Sequence, residues 1–195
     1  GELDDEARDA SIKTILEKAE SMQEIAEQTA DLRLIEGQSK NDQIEEQLDM
    51  QALVETYQNK YFDAQITQTI DGEATIQVWN ANLVKKVLDE AVKNAIKHND
   101  QSPPEVVITV RRESDVNQVE ITVADNGPGI PELDQKAIKE GKETQLSHSL
   151  GMGLWLMEWV ITISGGKLTI SENEPRGTRL TFQIPVGSSD ALDDE

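Results

Sequence analysis

Ile12, Ile15, Ala19, Met22, Ala26 and Thr29 recur at alternating steps of three and four residues, and neither Gly nor Pro interrupts residues 2–36. That spacing predicts one long amphipathic helix with a heptad-like seam. Ile25, Leu32 and Ile35 widen its apolar side beyond a narrow two-helix seam, so the helix is expected in a bundle, with a second copy of the chain as its neighbour. The polar run "EGQSKNDQ" then reads as a linker. The division expected is a helix over 1–37, a linker over 38–44, a globular domain over 45–187 and a frayed tail over 188–195.

Within the globular part the period changes repeatedly. "LDMQALVETYQNKYF" reads as a helix, and "AQITQTI" and "EATIQVWN" as two strands joined into a hairpin at Asp71-Gly72. Asn80 is placed to cap a helix from Ala81 to about His98, with Val84, Val87, Leu88, Ala91 and Ala95 on one broad apolar face. "EVVITVRRE" and "NQVEITVAD" follow as a strand pair. A short helix is expected over 131–140, the segment 141–150 has no clear period, and "GMGLWLMEWVITIS" reads as a buried helix. Trp155 and Trp159, four residues apart, are expected in the core. "GGKLTISEN" and "GTRLTFQIP" form a closing hairpin. Helices mixed with adjacent strand pairs indicate the α+β class with a largely antiparallel sheet.

Charge narrows the partners. Thirty-eight acids against 18 Lys and Arg leave a formal net charge of −20 over 195 residues. Such a surface repels phosphate backbones and anionic lipid headgroups, which argues against nucleic acid as a partner. It also suits a protein kept hydrated in concentrated salt. With no Cys and two His there is no disulfide framework, no thiolate nucleophile and no histidine-rich metal site. Nothing resembles a membrane span or a signal peptide, so the expected location is cytoplasmic.

Three features carry chemistry. Glu90, Asn94 and Lys97 share one helical stripe, where a carboxylate, an amide oxygen and an ammonium meet the needs of a hydrated divalent ion and its phosphates. In "ADNGPGIP", Asp125 ends a strand, and Gly127 and Gly129 remove side chains that would hold a flat ligand off the backbone. A carboxylate there can accept a hydrogen bond from an exocyclic amine. In "SLGMGLWLM", Gly151 and Gly153 stand at a helix entrance, where free N–H groups and the helix dipole favour an anion.

In this order the chain resembles the ATP-binding fold of histidine kinases, gyrase, the ninety-kilodalton heat-shock chaperone and the MutL repair proteins. "DEAVKNAIKH" is similar to their N box, "DNGPGI" to the first glycine box, "GMGL" to the second and "GTRLTF" to the closing glycine-threonine strand. The resemblance implies a two-layer α/β sandwich with a mixed, largely antiparallel sheet. It implies that Asp125 binds the adenine amine while Gly127, Gly129 and Ile130 let the ring lie against the sheet. By the same resemblance Asn94 holds Mg²⁺, with Glu90 beside it as a second ligand or as the catalytic base. Lys97 faces the phosphates, His98 stacks on the adenine, Gly151, Met152, Gly153 and Leu154 contact the phosphates, and Thr178 lies under the base. Among family members sensor histidine kinases fit best, since residues 4–36 are similar to the second helix of their dimerisation hairpin. The run from Gly141 to Leu168 is particularly similar to sensor kinases of salt-loving archaea.

The chain departs from that pattern twice. There is no Phe between positions 63 and 181, where a Phe-containing box is usual, and no His stands in a phosphoacceptor box: His98 lies in the N box and His148 in the lid. The expected function is therefore the ATP-binding catalytic part of a two-component sensor kinase. It would transfer the γ-phosphate of Mg²⁺-ATP to a histidine on a dimerisation helix outside this sequence, with a response regulator receiver domain downstream and a homodimer formed through the N-terminal helix. The alternatives are a nucleotide-binding scaffold without kinase activity and an ATP-hydrolysing clamp of the gyrase or MutL type.

Overall fold

The structure, a computed structural model, describes residues 45–113, 117–130 and 151–186, all within one compact unit, Gln43–Glu195. The expected N-terminal helix, linker, short helix at 131–140, lid with His148 and C-terminal tail lie outside the described residues, as do the side chains of Met152 and Trp155.

The elements run β1 (Glu45–Asp49), α1 (Met50–Lys60), β2 (Gln65–Asp71), β3 (Thr75–Trp79), α2 (Ala81–Lys97), β4 (Glu105–Glu113), β5 (Gln118–Asp125), α3 (Gly151–Ile163), β6 (Lys167–Glu172) and β7 (Thr178–Pro185). Five strands form the main sheet in the order β2-β4-β5-β7-β6; β1 and β3 form a separate two-stranded sheet. In the main sheet only β2 and β4 pair in parallel, so the sheet is mixed and largely antiparallel as expected.

Period two decides which face is covered. Ile66 of β2, Val106, Ile108 and Val110 of β4, Val119, Ile121 and Val123 of β5 and Leu180, Phe182 and Ile184 of β7 are all buried. The helices pack on this face, with α2 against β4 and β5 and α3 against β6 and β7. The alternate positions are mostly polar: Thr69, Thr109, Thr122, Thr181 and Thr169 stand in register across all five strands, with Val107 exposed on the same face. β-branched hydroxyl side chains satisfy strand propensity without requiring an apolar cover.

α2 is the element that positions the site. Asn80, at φ 58°, caps it by accepting the Leu83 N–H at 3.3 Å, and Glu46 of β1 accepts the Ala81 N–H at 2.8 Å. Two of the unpaired donors at the helix start are thereby satisfied, and a carboxylate meets the positive end of the dipole. Its buried face, Leu83, Val84, Val87, Leu88, Ala91, Val92 and Ala95, includes the five residues expected there. α3 ends at a turn whose Gly165 has φ 76°, with Gly166 N–H donating to the Ile161 carbonyl at 2.9 Å. At Gly166 a Cβ would lie 2.3 Å from the Gln183 carbonyl oxygen, so the chain enters β6 only with glycine there.

Two expectations fail. The segment read as starting a helix at Leu48 is still strand to Asp49, because β1 pairs antiparallel with β3; Asp49 then caps α1 by accepting the Ala52 N–H at 2.9 Å. The hairpin expected at Asp71-Gly72 does not form: β2 and β3 belong to different sheets. Gly72, at φ 106°, turns the chain out of the main sheet. A helix with the long apolar face of α2 buries it only by crossing over the sheet. A crossover of a dozen or more residues delivers the next strand, β4, parallel to β2.

Candidate functional site

Between α2 and the adjoining ends of β5 and β7 lies a cavity of about 330 Å³, within the size range of small-molecule sites. α2 contributes Ala91, Asn94, Ala95 and His98, and β5 contributes Val123 and Asp125. The turn after β5 adds Pro128, Gly129 and Ile130, while Leu154 of α3 and Thr178 and Leu180 of β7 complete the wall. Small side chains at Ala91 and Ala95, one helical turn apart, hold the space open between helix and sheet.

Asp125 is the charged group of this apolar chamber. Its Oδ1 accepts the Gly127 N–H at 2.8 Å and the Thr178 N–H at 3.2 Å, which leaves Oδ2 for a ligand. Burial raises its carboxyl above the ordinary range, and the two backbone N–H bonds offset part of that rise. Gly127 is buried and sits behind the carboxylate: a Cβ there would lie 3.0 Å from Oδ1 and 3.4 Å from Asn99 Nδ2. Gly129 takes φ 82°, which places its backbone in the cavity wall. Asn126 Oδ1 accepts both Asn99 Nδ2 at 2.9 Å and the Glu105 N–H at 3.0 Å, tying the end of β5 to the loop after α2.

At the other end of the chamber the first turn of α3 presses on α2. A Cβ on Gly153 would lie 2.6 Å from Glu90 Oε1 and 3.2 Å from Asn94 Nδ2, so glycine lets the helix N-terminus reach both side chains. Asn94 Nδ2 is buried without a hydrogen-bond partner among the described residues, which marks it as a group awaiting a ligand. Glu90 Oε2 lies 3.8 Å from Lys93 Nζ. The Asn94 amide oxygen and the Glu90 carboxylate are oxygen ligands that fit a hard cation such as Mg²⁺, while Asn94 Nδ2 and the N–H groups opening α3 are donors that fit phosphate oxygens. Among the described residues no group of three or more His, Cys, Asp or Glu makes a metal site by protein ligands alone.

Seven of the residues expected from sequence therefore line one cavity: Asn94, His98, Asp125, Gly129, Ile130, Leu154 and Thr178. Gly127 supports it from behind, and Glu90 and Gly153 stand beside its mouth. Gly151 and Met152 open α3 at the same end, while Lys97 is exposed and outside the cavity wall. Sequence reasoning left out Asn99, Asn126, Asn173 and Gly177. Asn173 Nδ2 donates to the Asp125 carbonyl at 2.8 Å, and Gly177 abuts the same carbonyl. For Asn173 and Gly177 the only signal in the sequence is the turn composition of "NEPRG".

Residues 79–188 match the family described as histidine kinase-, DNA gyrase B- and HSP90-like ATPases. The adaptive-response sensory kinase SasA of Synechocystis is 29% identical over 143 residues, covering 70% of this chain and 37% of the relative. The sensor histidine kinase CitA of Klebsiella pneumoniae is 32% identical over 106 residues, covering 54% of this chain and 19% of the relative. This chain therefore spans little more than a third of these curated relatives at most. Among solved structures, the Acinetobacter baumannii histidine kinase AdeS superposes with a TM-score of 0.65 at 21% identity, over 91% of this chain and 84% of that one. The catalytic domain of the histidine kinase ThkA gives 0.60 at 22%, over 73% and 95%. At those identities the structures establish the shared fold. The sequence relatives are cyanobacterial and enterobacterial and lend no support to a closer likeness to haloarchaeal kinases.

Proposed function

From the premise that the chain belongs to the histidine kinase-, DNA gyrase B- and HSP90-like ATPase family, we propose that it is the ATP-binding catalytic part of a two-component sensor histidine kinase. The observation that carries this reading is Asp125, whose Oδ1 is held by two backbone N–H groups so that Oδ2 can accept the 6-amino group of adenine inside an apolar chamber. Val123, Leu180 and Thr178 offer a floor for the ring, with His98 and Ile130 at its edges.

The triphosphate then runs toward the first turn of α3, where the N–H groups of residues 151–154 and the helix dipole stabilise its charge. Asn94 and Glu90 are the residues that would hold Mg²⁺, which when bound supplies charge neutralisation at the phosphates. Lys97 reaches the phosphates from the last turn of α2. In the transfer a neutral imidazole nitrogen of a histidine on the dimerisation helix bonds to the γ-phosphorus. The bond from that phosphorus to the β–γ bridging oxygen breaks, ADP leaves, and the proton on the other ring nitrogen passes to a base. Glu90 is the carboxylate placed to orient the imidazole or take that proton. The site contributes positioning and electrostatics with little covalent chemistry of its own. Among the described residues no helix is long and apolar enough to cross a membrane, and the reading places the domain in the cytoplasm with a receiver domain as its downstream partner.

Titration calorimetry with a non-hydrolysable ATP analogue tests the reading. Binding is expected to require Mg²⁺, and the chain by itself is expected not to acquire a phosphoimidazole. With a partner carrying the phosphoacceptor helix, and with Mg²⁺ and nucleotide saturating, Glu90→Gln is expected to cut transfer by about 100-fold. Absence of binding in a folded chain would leave a scaffold, and steady ATP hydrolysis rising with dimerisation would indicate a clamp of the gyrase or MutL type. From the −20 charge alone we infer an adaptation to concentrated salt. Self-repulsion among the acids is screened there, so the melting temperature is expected to rise between about 0.1 M and about 2 M KCl; a flat profile would refute that adaptation.

A further inference from the structure

Resting on the reading of Asp125 as the acceptor of a base amine, we propose that Asn173, in the turn between β6 and β7, is a positioning residue that sets adenine specificity. Its Nδ2 donates to the Asp125 main-chain carbonyl at 2.8 Å, and its Oδ1 accepts from Arg179 Nη2 at 2.8 Å. A guanidinium can only donate, so Arg179 fixes which end of the amide faces Asp125. The Asn173 N–H donates to the Gly177 carbonyl at 3.0 Å and closes the turn on itself. The next residue, Thr178, sends its N–H to Asp125 Oδ1 at 3.2 Å.

The turn therefore grips Asp125 at two points, the peptide oxygen through Asn173 and one carboxylate oxygen through Thr178. With both fixed, the direction of Oδ2 is fixed as well. A hydrogen bond to an exocyclic amine depends on that direction, whereas apolar contact with the ring does not. Loosening Asn173 should weaken recognition of the amine selectively.

The isosteric variant Asn173→Asp removes the donor to the Asp125 carbonyl while keeping an oxygen for Arg179. Calorimetry with Mg²⁺ is run on parent and variant with ATP and with purine riboside triphosphate, which lacks the 6-amine. The parent is expected to prefer ATP by about 10-fold or more, the worth of one well-aligned hydrogen bond to a charged group. In the variant ATP should weaken about 10-fold, with the amine-free nucleotide unchanged within about twofold. Equal weakening of both nucleotides would show that the turn serves the fold alone, and an undiminished preference for ATP would show that Asn173 does not orient Asp125; either overturns the proposal. Should the variant fail to fold, Asn173→Ser is read by the same criterion. A parent that binds ATP without preferring it over the amine-free nucleotide overturns the proposal and the assignment of Asp125 together; a parent that binds neither removes the nucleotide-binding reading itself.

Discussion

Asp125→Asn is expected to weaken ATP binding by about 100-fold or more while leaving the chain folded. The amide retains an oxygen in the place of Oδ1, so the bonds from the Gly127 and Thr178 N–H groups survive. It places an NH₂ where Oδ2 stood, and a donor then faces the adenine amine, itself a donor. Two buried donors pointed at each other cost both the lost bond and the desolvation of each group. Stability moves the other way. Burial raises the Asp125 carboxyl in the folded state, so between its ordinary value and that raised value the folded chain holds more protons than the unfolded chain. Its contribution therefore falls as pH rises through that window, and the ionised group is a net cost at neutral pH. The asparagine removes that cost, and the variant should melt no lower than the parent at pH 7. In the parent, affinity for ATP should decline as pH falls through the same window, which lies above the ordinary aspartate range. A variant that loses binding together with its melting transition would mean that Asp125 serves the fold first.

The parts of this site that could be read from sequence were those in which local chemistry and function coincide. The N-box helix is legible because Asn80 caps it and its apolar residues keep a helical period, so spacing alone puts Glu90 and Asn94 on a common stripe. The β4–β5 pair was legible from strict alternation, and it put Asp125 at a strand end. What failed was pairing at long range. The five residues of β1, "EEQLD", carry three acids and one aliphatic side chain, and their strand character comes from partners some thirty residues away on β3. The parallel pairing of β2 with β4 depends on where α2 must lie, which no turn signal encodes. The support beneath Asp125 was illegible for the same reason: Asn173 lies 48 positions from its acceptor, and an Asn next to Glu-Pro reads as an ordinary turn residue.

Gly177→Ala should destabilise the domain by about 3 kcal/mol or more and weaken ATP binding by at least about 10-fold, which comparison with Gly72→Ala makes testable. Both glycines occupy the left-handed half of the backbone map, Gly177 at φ 123° and Gly72 at φ 106°. Alanine at either position is strained, by about 1 kcal/mol or somewhat more. They differ in what a methyl group would meet. At Gly72 a Cβ would have nothing within 4 Å, whereas at Gly177 it would lie 1.8 Å from the Asp125 carbonyl oxygen and 2.7 Å from the carbonyl carbon. Those atoms are backbone at the end of a central strand, and the next residue, Asn126, is itself held by Asn99 and the Glu105 N–H, so the strand cannot yield. The turn must lift instead, which breaks the Thr178 N–H bond to Oδ1 and the Asn173 bond to the carbonyl. Urea denaturation of the two variants separates conformational strain from the collision: Gly72→Ala reports the first alone, and the excess in Gly177→Ala reports the second. Equal losses in the two variants would mean that the turn adjusts freely and does not hold Asp125. A larger loss in Gly177→Ala, accompanied by weakened ATP binding that Gly72→Ala does not show, ties the closing strand of the sheet to recognition of the base.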